Sequence, residues 1–360
     1  MRIGVVSYPM LFQRDGGLQI QVRETIAALN RYRPLVPQAL AAQLSVELVD
    51  LNRKRLDEYD VIHVFAAING NHRVVEAACE LGVPVVLSPL VPPGWNGPAG
   101  RRARWAERVA GRLTGWMVQG SYSQCRRAMD LAKLIIALGD AERDAIVSAF
   151  EIDSAKIRVF PNGINRHFFS ANADLFRRET GVSGPFVLMA GAISPYKNQL
   201  GLAEALADTG LPVVIVGRAQ RADLAYLQQL LRLPQVIWLG ALEHADPLLA
   251  SAFAAAAVLA LPSRGEVFPL TVLEALAAGT PVVMTAESAL DLPGADFAIK
   301  KVQWNDGAGQ RRAVLDLVAA LPDRRQVRAL VAHFTWEREA AQIAQCYVDL
   351  AGADAAHHVI

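Results

Sequence analysis

The feature that most constrains the fold is a strand–loop–helix–strand unit between Leu259 and Val283. Turn residues at Pro262–Glu266 follow a short apolar strand, and a helix is predicted from about Pro269 because proline suits a first helical turn. Gly279 ends that helix and Pro281 begins the next apolar strand. Two strands joined by a helix run parallel, so this unit predicts a parallel sheet covered by helices.

The same alternation of apolar strands and helices recurs along the 360 residues. This length is enough for two domains, each with its own core. The pattern therefore predicts an α/β protein built from two parallel, Rossmann-like sheets. The other predicted strands are Ile3–Val6, Asp60–Phe65, Pro84–Ser88, Lys133–Leu138, Phe186–Ala190, Val213–Val216 and Val236–Leu239.

Two carboxylates mark the central unit, Glu266 before the predicted helix and Glu274 inside it. The start of that helix, at Leu270 and Thr271, offers free backbone N–H groups that suit a phosphate. The arrangement is typical of a site for a sugar nucleotide, with one carboxylate at the sugar and the other at the ribose. The alternative is a crossover helix with a solvated glutamate.

The residues around these carboxylates carry a resemblance to a known family. Glu266-Val-Phe-Pro-Leu-Thr-Val-Leu-Glu274, followed by Ala-Leu-Ala-Ala-Gly-Thr-Pro-Val-Val, resembles the signature of family 4 retaining glycosyltransferases of the GT-B fold. Pro161-Asn162-Gly163 and the Phe334–Glu337 stretch are similar to the family's domain junction and its last helix. The resemblance implies two domains that face a cleft, 1–168 with a crossover helix at 336–352, and 169–335.

The resemblance also assigns a donor site. It gives Glu266 the donor sugar, Glu274 the ribose and Lys197 the donor diphosphate, where a cation stabilises the leaving charge. Where the family has an arginine five residues before the lysine, this chain has Ala192, and Arg218 is a candidate to compensate. The remaining donor-side candidates are Gly16, Gly17, Phe268, Leu270 and Thr271.

The acceptor side is less defined. Many family members carry a histidine after the strand that matches Val85–Ser88, and here the segment to Trp95 has none. His63 is the candidate catalytic histidine, although a lone histidine on a strand is more often structural. Further candidates to contact the acceptor or the donor are Asn69, His72 and Ser88.

The implied reaction transfers a hexose from a nucleotide-diphosphate sugar to a saccharide or lipid-linked acceptor, with retention of configuration and without metal or cofactor. Such reactions occur in surface-polysaccharide and glycan assembly. Two alternatives stay open: a catalytically silent GT-B domain that acts as a binding subunit, and a sugar-nucleotide epimerase. A nicotinamide-dependent enzyme is disfavoured because no Gly-x-Gly-x-x-Gly follows the first strand.

Composition narrows the partners and the compartment. The net charge of +1 indicates no general attraction to nucleic acid. Cys79, Cys125 and Cys346 have no metal-ligand spacing and are expected to be reduced thiols. The brief apolar start at Met1 is typical of a strand rather than a signal peptide, so a cytoplasmic location is expected.

The Arg101–Arg127 segment holds seven arginines and one acid. Helical spacing places Trp105, Val109, Leu113 and Trp116 on one face and Arg101, Arg104, Arg108 and Arg112 on another. An ordinary surface helix with its apolar side on the core is the favoured interpretation. The alternative is a helix that lies on anionic lipid at the inner face of the membrane.

Overall fold

The computed structural model describes residues 1–8, 11, 16–31, 44–114 and 120–357. The chain divides into two compact units. Unit 1 holds most of residues 1–163 together with the segment from Trp336 onward, and unit 2 holds Ile164–Thr335. Each unit is built around one parallel sheet, as the sequence predicted.

The sheet of unit 1 has six parallel strands in the order β2-β1-β3-β4-β5-β6. The strands are β1 (Arg2–Val6), β2 (Ser45–Leu48), β3 (Val61–Phe65), β4 (Val85–Ser88), β5 (Leu134–Ala137) and β6 (Ile157–Val159). The helices are α1 (Gly17–Arg31), α2 (Asn71–Glu80), α3 (Gly97–Thr114), α4 (Ser121–Leu131) and α5 (Asp140–Phe150). Sequence reasoning missed β2, an edge strand that buries only Val46 and so lacks an apolar run.

The sheet of unit 2 also has six parallel strands, in the order β12-β11-β10-β7-β8-β9. The strands are β7 (Val187–Ala190), β8 (Val213–Val216), β9 (Val236–Trp238), β10 (Val258–Leu261), β11 (Val282–Thr285) and β12 (Ile299–Val302). The helices are α6 (Arg166–Phe169), α7 (Asp174–Thr180), α8 (Gln199–Ala205), α9 (Leu224–Leu230), α10 (Pro247–Ala255), α11 (Leu270–Ala277), α12 (Gly307–Ala319) and α13 (Arg324–Ala329).

The β10-α11-β11 unit is the predicted strand–helix–strand and lies in the core of unit 2. Both strands are fully buried, and Val272, Leu273 and Leu276 of α11 have no exposed surface. Gly279 ends the helix with a φ of 82°, a left-handed conformation that favours glycine. An apolar helix between apolar strands is stable only when covered on all sides, which fixes its position.

The last helix, α14 (Trp336–His357), belongs to unit 1. It runs five residues past the predicted end at 352, because its final turns are rich in alanine, a strong helix former. Glu339 accepts hydrogen bonds from the Thr25 hydroxyl at 3.2 and 3.3 Å. Burial raises the pKa of Glu339 to about 8. The helix is therefore attached to unit 1 through buried polar contacts as well as through apolar packing.

Candidate functional site

Four loops of unit 2 start side by side at the carboxyl edge of its sheet. Strands β10, β7, β8 and β9 are neighbours, and their loops start at Pro262, Gly191, Gly217 and Leu239. The strand order reverses between β10 and β7, because β7 leads to β8 and β9 on one side and β10 leads to β11 and β12 on the other. In open parallel sheets the crevice at this switch point is where ligands bind.

The floor of this edge is made of glycine backbone. Gly217 has a φ of 156°, and its N–H donates to the Gly240 carbonyl at 2.7 Å. A Cβ atom on Gly217 would lie 1.8 Å from the carbonyl oxygen of Gly191, a distance that no side chain tolerates. The edge is thus kept clear of side chains at these positions, and a ligand can approach the backbone closely.

The two predicted residues nearest the switch point are paired with each other. Lys197, in the loop after β7, donates a hydrogen bond from Nζ to Oε1 of Glu266, in the loop after β10, at 2.6 Å. The side chains are 26% and 14% exposed, so both can still reach solvent. Residues that lie 69 positions apart in the sequence therefore meet at the switch point of the sheet.

Backbone contacts on both sides hold Glu266 in place. Its N–H donates to the Glu287 carbonyl at 2.9 Å, and its carbonyl accepts from the N–H of Ala289 at 3.2 Å. Tyr196, next to Lys197, donates its hydroxyl to the Gly265 carbonyl at 2.7 Å. The loops that carry Lys197 and Glu266 are thus tied to each other next to the ion pair.

Glu274 lies in the middle of α11 and is almost completely buried, with 7% of its side chain exposed. Its carboxylate oxygen Oε1 lies 2.6 Å from Nε2 of His244, in the loop after β9. Sequence reasoning identified Glu274 but missed His244. The one available signal for His244 was its position in the loop that follows a strand of the same parallel sheet.

The backbone around Ala192, the position at which the resembled family has an arginine, is held by hydrogen bonds. Gln199 donates from Nε2 to the Ala192 carbonyl at 2.9 Å and accepts from the N–H of Ser194 at 3.4 Å. Arg218 is exposed, and its carbonyl accepts a hydrogen bond from the N–H of Ile193 at 2.9 Å. An arginine on the neighbouring strand end thus lies beside the loop that lacks one.

The uncharged residues of unit 2 that were predicted to bind the donor are buried or partly buried. Phe268 and Leu270 are 8% and 6% exposed, and the Phe268 ring packs against Phe334 with centroids 6.3 Å apart. Thr271 is only partly buried in the first turn of α11. Phe268 and Leu270 therefore contribute packed apolar side chains rather than exposed polar groups.

Two family models match this chain, one in each half. The model for Glycosyltransferase Family 4 matches residues 11–168, and the model for Glycosyl transferases group 1 matches residues 173–291. The chain belongs to the family 4 glycosyltransferases.

Curated relatives within this family are moderately similar in sequence. A D-inositol 3-phosphate glycosyltransferase from Arthrobacter is 33% identical over 243 residues, and one from Actinosynnema mirum is 28% identical over 238 residues. These matches cover 61% and 60% of this chain, and 56% and 57% of the relatives. The chain thus spans little more than half the length of the relatives it matches.

Solved structures share the fold over nearly the whole chain. Anabaena Alr3699/HepE in complex with UDP has a TM-score of 0.69 and 20% identity, and covers 96% of this chain and 99% of that one. A sucrose-phosphate synthase from Thermosynechococcus elongatus has a TM-score of 0.71 and 19% identity, with coverage of 98% and 99%. The predicted GT-B fold is confirmed.

In unit 1, the predicted catalytic histidine, His63, is fully buried. Its Nδ1 lies 2.7 Å from the Tyr347 hydroxyl and its Nε2 lies 2.9 Å from Oγ of Ser88. Desolvation lowers its pKa to about 3, which keeps the ring neutral. Both ring nitrogens and the Ser88 hydroxyl are thus committed to a contact that joins β3, β4 and α14, which argues against a catalytic role for His63.

The carboxyl edge of unit 1 is held by buried polar side chains that sequence reasoning did not find. Glu142 accepts hydrogen bonds from the N–H of Val91 at 2.7 Å and from the N–H of Leu138 at 2.8 Å. Desolvation raises its pKa to about 7. After β3 and β4, Ala66 and Leu90 have positive φ angles of 68° and 55°. Such backbone is costly and is found mainly where function fixes it.

Four other predicted positions lie near strand or helix ends. Asn69 has a φ of 61° and His72 is buried in the first turn of α2. Gly16 and Gly17 are exposed where α1 begins, and no atom would lie within 4 Å of a Cβ at either position. These glycines thus leave the start of α1 open, as a site for phosphate requires.

The apolar face of α3 is exposed, so the interpretation that it packs on the core is wrong for the residues that can be tested. Trp105 is 68% and Val109 40% exposed. Arg104, predicted on the solvent face, is instead 17% exposed and binds Glu151 at 2.7 Å. The Leu113 side chain and Trp116 lie outside the described residues. In the part of the chain that is described, no helix combines the length and apolarity needed to cross a bilayer.

Proposed function

We propose that this protein transfers a hexose from a nucleotide-diphosphate sugar to a hydroxyl of a saccharide or lipid-linked acceptor, with retention of the anomeric configuration. The acceptor class places the reaction in surface-polysaccharide or glycan assembly. The proposal extends the family assignment to a specific chemistry. It is carried by the Lys197–Glu266 pair at the switch point of the unit 2 sheet.

The pair supports this chemistry because its two members suit the two halves of a sugar nucleotide. Lys197 supplies a positive charge for the diphosphate, and Glu266 supplies a hydrogen-bond acceptor for sugar hydroxyls. In the structure, Lys197 Nζ and Glu266 Oε1 lie 2.6 Å apart, so the two charges neutralise each other. A bound donor would insert its phosphate at the lysine and its sugar at the carboxylate.

The proposed step needs neither metal nor cofactor. The bond between the anomeric carbon and the diphosphate oxygen breaks, a bond from the acceptor oxygen to that carbon forms on the same face, and the acceptor proton passes to the departing phosphate. Lys197, with the amides of Gly16–Gly17 and of the α11 start at Leu270 and Thr271, would stabilise the negative charge. Arg218 would add the cation that Ala192 lacks.

A thermal-shift screen with UDP, GDP, ADP and dTDP and their sugars tests the donor site. UDP has priority, because the structurally similar Anabaena Alr3699/HepE forms complexes with UDP and with UDP-glucose. We expect one nucleotide to raise the melting temperature by mass action, equally with and without EDTA, and Glu274→Gln to reduce the shift. A shift that EDTA removes would contradict the metal-free step.

Product analysis distinguishes glycosyl transfer from the two alternative functions, epimerisation and binding without catalysis. A glycosyltransferase releases the nucleoside diphosphate only with an acceptor, and NMR of the product gives its anomeric configuration. An epimerase converts the sugar nucleotide without any acceptor. Acceptors should include inositol phosphate, which the names of the curated relatives contain. Failure of every nucleotide to bind would favour the silent binding subunit.

We also propose that α3 lies on an anionic membrane surface. Its exposed residues include Arg101, Arg102, Arg108 and Arg112 around Trp105 and Val109. The acid of this helix, Glu107, is turned toward α4 and accepts from the N–H of Ser123 at 2.9 Å. Exposed arginines and an exposed tryptophan with no acid between them suit an anionic lipid surface.

Vesicle sedimentation tests this contact. We expect vesicles with anionic phosphatidylglycerol to retain the protein, and neutral phosphatidylcholine vesicles not to retain it. The combined change of Arg101, Arg108 and Arg112 to Gln should abolish retention, and Trp105→Ser should weaken it. Arg104 is left unchanged because it pairs with Glu151. Equal retention of the wild type and the triple variant would refute the proposal.

A further inference from the structure

We infer that His244 is a positioning residue of the nucleotide subsite. It holds one oxygen of the Glu274 carboxylate so that the other oxygen can accept hydrogen bonds from the ribose hydroxyls of the donor. This inference rests on the proposed function, since it takes Glu274 as the ribose-binding residue. It adds a residue that neither the sequence motif nor the family assignment supplies.

The contact itself is short and buried. Nε2 of His244 lies 2.6 Å from Oε1 of Glu274, with 17% and 7% of the two side chains exposed. A carboxylate oxygen accepts hydrogen bonds, so the imidazole Nε2–H is the donor. Hydrogen bonds to a charged partner at this distance are among the strong ones in proteins.

Glu274 needs such a partner because of where it lies. Its neighbours along α11, Leu273 and Ala275, are fully buried, as is Val272. Among the described residues, His244 is the side chain that hydrogen-bonds the Glu274 carboxylate. A buried carboxylate without a hydrogen-bond donor is costly. The contact with His244 therefore stabilises the Glu274 carboxylate in one orientation.

The His244 side chain is itself fixed from two directions. Its ring packs against the ring of Phe168, a fully buried residue, with centroids 5.5 Å apart. Its backbone lies in a turn that the Asp246 N–H closes onto the Glu243 carbonyl at 2.9 Å, and the Asp246 side chain caps α10. The imidazole therefore reaches Glu274 from a rigid loop, as a positioning residue should.

A competing role for His244 gives the opposite result. If the ribose replaced the imidazole at Glu274, the histidine would compete with the donor, and its removal would strengthen nucleotide binding. If the histidine positions the carboxylate, its removal weakens binding, and the lost part is the part that depends on the ribose hydroxyls. Nucleotides that lack one hydroxyl separate these cases.

The experiment compares UDP, GDP and ADP with their 2′-deoxy counterparts by calorimetry, in wild type, His244→Phe and His244→Gln. The phenylalanine keeps a ring against Phe168 but has no donor, whereas the glutamine amide can still donate to Glu274. We expect His244→Phe to raise the Kd of the bound ribonucleotide about tenfold and to bring it close to the Kd of the 2′-deoxy form. His244→Gln should recover most of the affinity for the ribonucleotide and most of the preference for ribose over 2′-deoxyribose.

Ala245→Gln is the matched control, because it places the same amide one residue further along the loop at an exposed position. It should leave affinity and the ribose preference as in the wild type. An unchanged or tighter Kd in His244→Phe overturns the positioning role, as does an unchanged preference for ribose over 2′-deoxyribose. If none of the three ribonucleotides binds the wild type, this inference fails, and the proposed function fails with it when dTDP does not bind either.

Discussion

The carboxyl edges of the two parallel sheets have the same β-α-β scaffold but differ in whether their polar side chains are exposed or buried. In unit 2 the edge exposes glycine backbone and a charged pair, Lys197 and Glu266, both in contact with solvent. In unit 1 the polar groups of the edge, His63 and Glu142, are completely buried. The edge of unit 2 thus exposes charged side chains to solvent, whereas the polar side chains at the edge of unit 1 are buried and hydrogen-bond within the unit.

The difference shows how a β-α-β scaffold can be used in two ways. Glycine-lined strand ends leave room for a ligand, which supplies the partners for the exposed charges. The buried carboxyl group of Glu142 instead accepts a hydrogen bond from Val91, next to the costly backbone conformation at Leu90, and the buried His63 imidazole joins β3 to β4 and α14. We therefore expect substitutions in unit 2 to change ligand binding and catalysis, and those in unit 1 to change stability.

The largest expected effect is on catalysis in unit 2. Lys197→Ala should lower kcat about 10²- to 10³-fold, because it removes a charge that would stabilise the leaving diphosphate. Steady-state kinetics with the donor identified by the nucleotide screen measure this change. Lys301→Ala, which removes an exposed lysine from β12, is the control and should be neutral. A loss below tenfold in Lys197→Ala would remove the lysine from the proposed mechanism.

The second effect is on stability in unit 2. Gly217→Ala should destabilise the protein by about 3 kcal/mol or more, since its Cβ would overlap the Gly191 carbonyl. Gly210→Ala has a similar conformational cost at a φ of 72° but meets no atom within 4 Å, and should cost about 1 kcal/mol. Urea unfolding compares the two variants. Equal losses of stability in the two variants would mean that the close approach of Gly217 to the Gly191 carbonyl does not contribute to the free energy of unfolding.

The third effect is a pH dependence in unit 1. Burial raises the pKa of Glu142 from 4.5 to about 7, so the folded protein keeps a proton that the unfolded chain releases within this range. The contribution to stability is present below pH 4.5 and is lost as pH rises to 7, by about 1.4 kcal/mol per pH unit. Glu142→Gln should have a shallower slope than the wild type by this amount, and the slope that remains comes from the buried Glu339, whose pKa is raised to about 8.

Urea titrations between pH 5 and 7 measure that slope, with Glu243→Gln as an exposed control. The control should keep the wild-type dependence. Identical slopes in the wild type and in Glu142→Gln would mean that the buried carboxyl group stays ionised in the folded protein.

The smallest effect compares two tyrosine hydroxyls. Tyr347→Phe leaves Nδ1 of the buried His63 without its partner and should cost about 1–3 kcal/mol. Tyr196→Phe removes a hydrogen bond to Gly265 from a residue that is 51% exposed, so water can replace it and stability should change by less than about 0.5 kcal/mol. Thermal unfolding separates the two, and equal costs would contradict the contrast between the buried and exposed edges.

Much of the fold and part of the site could be predicted from the sequence. Glu266 and Lys197 were identified, and their strand ends proved to be neighbours at the switch point. His244, Glu142 and the exposure of Trp105 were not found. An isolated histidine or glutamate has no periodic signal, and helical spacing shows that residues share a face without showing what covers it.

The sequence by itself determined most of the secondary structure and the parallel sheets, though not the edge strands β2 and β12, because apolar periodicity and turn residues act over a few positions. It also determined the family, through a motif whose residues lie on a single helix and its flanking loop. Only the tertiary structure decided which side chains meet: His244 with Glu274, His63 with Tyr347, and Lys197 with Glu266. These pairs join residues 30 to 284 positions apart, and their hydrogen bonds depend on strand order and burial, which no local pattern encodes.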